Sequence, residues 1–200
     1  FRRVLFRSAV VSSTPDSLQR TVIDAALSIV ASSGPDDVSL REVARAAGVS
    51  HQAPYHYFKD REGLFAAICG EGFAALADAL TAASVNSAES MFVSYVRFAR
   101  THTGHFRVMF RRDICNLENY PTALAEADRA FGMLTDLVVK VIRPGATIED
   151  IRLTATYMWS TAHGLATLLL DGPLEKKIGA IPDVDEFVVN LARVAARALQ

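Results

Sequence analysis

Apolar residues recur every three or four positions along most of the chain and nowhere sustain the alternation of a strand, which predicts an all-α protein. Leu18, Val22, Ala25, Ala26, Ile29 and Val30 line one face of a first helix, opened by Asp16 with Gln19 three residues on and stopped by Gly34-Pro35. Ser39-Leu40-Arg41-Glu42 reads as a capping box for a short second helix faced by Leu40, Val43, Ala44 and Ala47. Gly48-Val49-Ser50 is a tight turn in which Gly48 is free to take a positive φ. Ser50 is expected to cap a short third helix running to Tyr57, and Asp60 to open a fourth running to Ala83.

The second half has longer elements. Asn86 and Glu89 open a fifth helix ending near Gly104, and a sixth covers 105–111. Pro121 opens a seventh, with Leu124, Ala127, Phe131, Leu134, Val138 and Val141 on one face, stopped by Pro144-Gly145. Thr147 caps an eighth that ends at Gly172-Pro173. Asp183 and Glu186 cap the last, whose face is Phe187, Leu191, Val194 and Ala198. The expectation is about nine helices, without internal repeats or low-complexity runs.

Composition narrows the class. The 200 residues are 50% hydrophobic and 22% charged, which excludes a disordered chain, a collagen-like repeat and a disulfide scaffold. Two cysteines, Cys69 and Cys115, make no disulfide framework, so a reducing cytoplasm is expected. The longest uncharged stretch, Leu153 to Leu170, carries Thr154, Thr156, Ser160, Thr161, His163 and Thr167. It is too polar for a good membrane span and reads as a helix buried in protein. No secretory signal is expected, since the Arg-rich start lacks a sustained apolar region. Residues 1–8, Phe-Arg-Arg-Val-Leu-Phe-Arg-Ser, are encoded by TTC AGA CGT GTG CTC TTC CGA TCT, a string that resembles a sequencing-adapter end. They are expected to be an assembly artefact rather than a basic arm for a minor groove, and 9–16 a flexible tail.

The net charge of −1 means that nucleic-acid recognition must rest on local features. Such features exist. Three short helices followed by a long one, with a Gly-containing turn between the second and third, form a helix-turn-helix pattern. Val22, Ile29, Val43, Val49, Phe58 and Leu64 would buttress a short helix that fits a groove about 12 Å wide. His51 and Gln52 fall in its first turn, where base edges are read, and Gln suits bidentate pairing with adenine. Ala53 could touch a thymine methyl. Tyr55, Tyr57 and Lys59 offer groups to phosphates, as do Ser39 and Arg41 of the second helix and the capping Ser50.

Val38-Ser39-Leu40-Arg41-Glu42-Val43-Ala44, Ala47-Gly48-Val49-Ser50 and Tyr55-His56-Tyr57-Phe58-Lys59-Asp60-Arg61-Glu62-Gly63-Leu64 together resemble the DNA-binding domain of the tetracycline-repressor (TetR) family. The resemblance covers roughly residues 17–70. It implies a homodimeric repressor that leaves its double-stranded DNA operator when a small molecule binds the C-terminal domain. On that reading, 17–64 form the helix-turn-helix domain, 65–85 a connecting helix and 86–200 a ligand-binding and dimerisation domain. Trp159-Ser160-Thr161-Ala162-His163-Gly164-Leu165, with Arg100-Thr101-His102-Thr103-Gly104-His105-Phe106 and Met109-Phe110, is similar to a TetR subgroup with a Trp and a His-Gly in that domain. Two departures stand out. Pro54 replaces the bulky apolar residue usual in the recognition helix, so that helix is expected to begin late or slightly distorted. From Ser17 to Leu64 the chain has five Lys/Arg against six Asp/Glu, so affinity must come from the placement of a few groups.

Phe92, Tyr95, Phe98, Phe106, Met109, Phe110, Phe131, Met158 and Trp159 supply aromatic and Met side chains to the second half. Most are expected to be core. The ligand-pocket candidates among them are Phe92, Tyr95, Phe106, Met109, Phe110, Phe131, Met158 and Trp159, with His163 either facing the ligand or fixing the helix. Ala155, Ala162, Gly164, Ala166, Leu170, Leu191, Ala192, Ala195 and Ala196 suit either a two-fold four-helix dimer interface or packing within the chain. His102 and His105 lack a third metal ligand, so neither a metal nor another cofactor is expected. Cys115, beside Arg111 and Arg112, is read as an idle thiol more than a redox switch. No nucleophile–base pair, paired carboxylates or phosphate loop points to an enzyme. The competing readings are a helical adaptor without DNA binding and an enzyme that uses the C-terminal cavity.

Overall fold

A computed structural model describes residues 15–84 and 87–197, and within them it shows nine α-helices, two 3-10 turns and no strand. The expected artefact at 1–8 and most of the expected tail lie outside the described residues. The first helix, α1 (Pro15–Ser33), begins at the proline before Asp16. α2 (Leu40–Ala46) opens on Ser39, whose hydroxyl accepts the Glu42 N–H at 3.1 Å. The reciprocal half of the expected capping box does not form, because the Glu42 carboxylate turns to Arg45 one turn on. The turn that follows needs the freedom of glycine, since Gly48 has φ +67°.

The expected third helix is instead a single 3-10 turn, Ala53–His56. α3 (Arg61–Ser84) then runs as expected, with Asp60 accepting the Gly63 N–H at 2.8 Å. By length and composition α3 is apolar enough to cross a bilayer, with mean hydropathy 1.5 over Arg61–Ala83. Here it is the central helix of a bundle. Leu64, Phe65 and Ile68 are fully enclosed, and α3 packs against α4 (Ala88–Thr101), α5 (Thr103–Met109) and α6 (Pro121–Val141). Ser87 caps α4, accepting the Ser90 N–H; the expected cap, Asn86, lies outside the described residues.

α7 (Ile148–Leu170) carries a complete capping box between Thr147 and Asp150. A five-residue α8 (Leu174–Ile178) was not expected, being too short for periodicity to register. α9 (Val184–Arg197) starts where Asp183 accepts the Glu186 N–H at 2.9 Å. Two predicted faces are rotated. On α6 the buried residues are Ala123, Ala130, Leu134, Leu137 and Val138, while Phe131 and Val141 lie at the surface. On α9 Val188, Ala192 and Ala195 point inward and Val194 outward; Ala198 lies outside the described residues. Ala155, Ala162, Ala166, Ala192 and Ala195 are all buried within the chain, where α7 and α9 flank α4. These alanines therefore serve intramolecular packing, not a surface between subunits.

Candidate functional site

The helix-turn-helix is assembled around a buried proline. Pro54 has no N–H to donate, so a full α-helical ladder cannot start at Ser50. The chain adopts i→i−3 bonds instead, from Ala53 to the Ser50 carbonyl (3.0 Å), Tyr55 to Gln52 (3.1 Å) and Tyr57 to Pro54 (3.1 Å). Gln52, not Ser50, occupies the N-cap position, without a side-chain capping bond. The Pro54 ring and the Ala53 methyl both point into the core. That burial corrects one expectation, because an inward methyl at Ala53 cannot meet a thymine.

The remaining candidates lie outward. Ser39, Arg41, Ser50, His51, Gln52, Tyr55 and Lys59 are all exposed, and Tyr57 is half-buried with its ring tilted against Phe58 at 6.3 Å between centroids. Charge bookkeeping sharpens this surface. Arg20 is paired with Asp24 and Glu71. Arg61 is absorbed by structure: its guanidinium donates to the Val38 and Pro35 carbonyls, both at 2.7 Å, and lies 4.7 Å over the Phe65 ring. Arg45 is paired with Glu42. Among the described residues of 17–64, Arg41 and Lys59 are the Lys/Arg side chains with neither an ion pair nor a hydrogen bond, and both sit on this outward face. Nothing in the sequence marked Arg61 for its structural role, since the loop carbonyls it binds are contributed about 25 residues earlier.

A second feature lies at the far end of α3. A cavity of about 330 Å³ opens between α3, α4, α6 and α7. It is within the size range of small-molecule sites, about 300–1,000 Å³. Phe92, Tyr95, Phe110, Phe131, Met158 and Trp159 line it, as the sequence suggested. Phe106, Met109 and His163 do not. Met109 packs against Gly72, while Phe106 and His163 border a separate, more polar cleft with Arg107 and Arg111. Sequence reasoning missed Phe73, Leu76 and Leu80, Met91, and the α6 stripe Ala127, Asp128, Ala130 and Leu134. The i, i+3, i+7 spacing of Phe73, Leu76 and Leu80 was visible, but nothing distinguished a cavity wall from solid core.

Three residues brace the cavity's inner wall. The Tyr95 hydroxyl lies 2.8 Å from His163 Nδ1 and 3.3 Å from Trp159 Nε1. The indole N–H can only donate, so Tyr95 accepts from Trp159, while the direction of its bond with Nδ1 is set by the His163 tautomer. Burial lowers the His163 pKa below its ordinary value and pushes that of the Tyr95 phenol up, consistent with both remaining neutral. The His163 ring also meets Phe106 and Phe110, at 5.2 and 4.7 Å between centroids. His163 thus orients the wall from behind rather than facing the cavity.

The helix-turn-helix and the cavity are mechanically joined. α3 runs from one to the other. Between them, Arg107 of α5 donates to the Val30 and Ala31 carbonyls at the end of α1 and pairs with Asp171 at the end of α7. Nearby, Glu71 bridges Arg20 at 2.6 Å and comes within 3.4 Å of the buried His105 Nε2. His102 stacks on Phe98, 4.6 Å between centroids, and no group of three metal-ligating side chains occurs among the described residues. The Cys115 thiol is held below its usual pKa by a hydrogen bond from the adjacent buried Cys69, not by its neighbouring arginines. Those pair with Asp113 and Glu118.

Comparison with known proteins fits this architecture. Residues 22–68 match the bacterial regulatory proteins of the tetR family, and residues 88–195 match the tetracyclin repressor-like C-terminal domain. Over 64 residues the chain is 41% identical to the HTH-type transcriptional regulator BetI of Cronobacter sakazakii, a match spanning 32% of each protein. A protein of unknown function from Rhodococcus sp. RHA1 shares the fold at 28% identity, with TM-score 0.73 over 96% of this chain and 99% of that one. The TetR family regulator PfmR from Thermus thermophilus does so at 19% identity, TM-score 0.70, over 90% and 98%. With both halves of the chain matched in order, a DNA-binding domain followed by a repressor-type C-terminal domain, this protein belongs to the TetR family of bacterial regulators.

Proposed function

We propose that this protein is a cytoplasmic transcriptional repressor that binds an operator as a homodimer and is released when a small molecule enters the aromatic cavity. The observation that supports this most directly is the continuity of α3. Its first turn is tied to the loop before α2 through Arg61, and Phe73, Leu76 and Leu80 form one wall of the cavity. A ligand that favours a different tilt of this helix changes the separation of two reading turns in a dimer. Release requires different affinities for the two arrangements, not tight binding alone.

In this reading His51 and Gln52 approach base edges, while Arg41, Tyr55 and Lys59 hold phosphates. Ser39, Ser50 and Tyr57 flank them. The bracing of Tyr95 by Trp159 and His163 supports assignment to the TetR subgroup with a Trp and a His-Gly in its C-terminal domain. With five of the six alanines of α7 and α9 turned inward and Ala196 half-buried, the surface left for a subunit contact includes Leu153, Tyr157 and Leu168 of α7 and Val194 of α9, all exposed. An adaptor without DNA binding lacks a use for two unpaired cations beside an exposed glutamine. No side-chain set in the cavity offers a nucleophile with a base, as an enzyme would need.

The test is a gel shift on the DNA flanking the gene. Binding that weakens steeply with salt supports the repressor reading, and absence of binding at low salt overturns it.

A further inference from the structure

The cavity's chemistry restricts what it can hold. Its wall is built almost wholly of aromatic and aliphatic carbon, and no Lys, Arg or His lines it. The uncharged polar groups on its wall are already engaged with one another: Trp159 Nε1 donates to the Tyr95 hydroxyl, which is also hydrogen-bonded to His163 Nδ1. Apart from Phe110, which caps α5, the cavity's lining residues lie within helices, whose backbone groups bond along the helix. A carboxylate or phosphate would find no donor to replace its water.

One lining residue is charged, Asp128, and it is exposed. Its acidic neighbours are neutralised: Arg129 takes both Asp78 and Glu126, each at 2.8 Å. Asp128 has no ion pair or hydrogen bond among the described residues. It stands one helical turn before Phe131, which is 43% exposed and meets the 39% exposed Trp159 edge-on at 5.9 Å. A free carboxylate and two half-open aromatic rings therefore rim the same opening. Aromatic faces attract cations within about 6 Å of their centroids, Trp most strongly.

From this juxtaposition we propose that the effector is a lipophilic cation: an aliphatic or aromatic body fills the chamber, and an ammonium or similar head stays at the rim between Asp128, Phe131 and Trp159. The proposal rests on the reading of this cavity as the effector site. It adds a charge and an orientation to that reading.

Trp159 is the only tryptophan in the chain, so its fluorescence reports on the rim. The test titrates the full chain with decyltrimethylammonium, decanol and decanoate, each below its micelle concentration. The ammonium should bind about tenfold tighter than the alcohol, equivalent to ~1.4 kcal/mol. Decanoate should bind weakest. Asp128→Asn, an exposed position whose loss leaves the fold intact by circular dichroism, should bring the ammonium to the level of the alcohol and leave the alcohol unchanged. Alcohol or decanoate binding as tightly as the ammonium, or an ammonium affinity unmoved by Asp128→Asn, overturns the cationic assignment but leaves the cavity as an effector site. If none of the three probes alters Trp159 emission, the cavity reading itself fails, and this inference with it.

Discussion

Arg107 offers the sharpest test of how cavity and DNA-reading turn communicate. Its guanidinium reaches two carbonyls at the C-terminus of α1 and the carboxylate that ends α7, so one side chain ties three elements together. A cation suits this place, since the last turn of a helix presents unsatisfied carbonyls and a partial negative charge. Arg107→Met keeps the aliphatic stem and removes every one of these bonds. Hydrogen bonds to charged groups contribute roughly 1.5–3 kcal/mol when well sheltered. The Arg107 side chain is 24% exposed and that of Asp171 46%, so water reclaims part of the loss. After that screening the expected cost is about 1–2 kcal/mol. For a chain of this size this lowers Tm by about 2–8 °C.

Stability is the lesser half of the prediction. With the Arg107 tie between α1, α5 and α7 removed, a ligand in the cavity should shift operator affinity less than in the wild type, while ligand binding itself, read by Trp159, is retained. Arg107→Lys keeps the charge but not the fork, and should recover part of each effect. Differential scanning fluorimetry gives the first number, and operator titration by fluorescence anisotropy, with and without ligand, gives the second. An Arg107→Met variant with unchanged Tm and undiminished ligand response refutes the strut.

Other outcomes follow from the same geometry. Lys59→Ala should reduce operator affinity and lower the salt-dependence slope by about one, and Tyr55→Phe should weaken binding about 2–10-fold, both without change in Tm. Gln52→Ala should alter sequence preference more than overall affinity, which a randomised-site selection reads out; an identical enriched motif contradicts base contact at that position. Stability should fall on mild acidification. Burial lowers the pKa values of His163 and His105 in the folded state, with Glu71 opposing the shift at His105, so the unfolded chain takes up protons first. The contribution of the neutral rings is therefore complete above about pH 6.5 and is lost as pH drops below it toward the folded-state values. Tm measured from pH 7.5 to 5.5 should decline less steeply in a His105→Gln, His163→Gln variant than in the wild type. A wild-type Tm that rises on acidification contradicts the burial argument.

The sequence was most legible where caps and periodicity act locally. The boundaries of α2, α3 and α7 follow from Ser39, Asp60 and Thr147, each bonding to an N–H three residues away. It was least legible where partners come from elsewhere in the chain. Pro54 signalled a disturbed recognition helix, but the extent of the change, from α-helix to a single 3-10 turn that buries Ala53, depends on the core beneath it. The half-formed box at Ser39 depends on Glu42 choosing a charged neighbour over a backbone N–H. Amphipathic spacing on α6 and α9 identified helices correctly and misplaced their buried faces by one position, because neighbouring apolar residues such as Leu137-Val138 leave the facing undetermined. Six of nine suggested cavity residues line the chamber. Phe106 and His163 stand one layer behind, a distinction set by three-dimensional depth and invisible to spacing.

The central claim is that the exposed turn from His51 to Lys59 reads duplex DNA as one of a two-fold pair. Selection of randomised duplexes with the purified full chain tests it most directly. The account predicts an enriched inverted repeat whose half-sites lie about 10–10.5 base pairs apart, or a multiple of that, bound with an affinity that falls as salt rises and as Lys59 is replaced by Ala. An unenriched pool, or a motif bound equally well by the Lys59→Ala chain at every salt concentration, contradicts it.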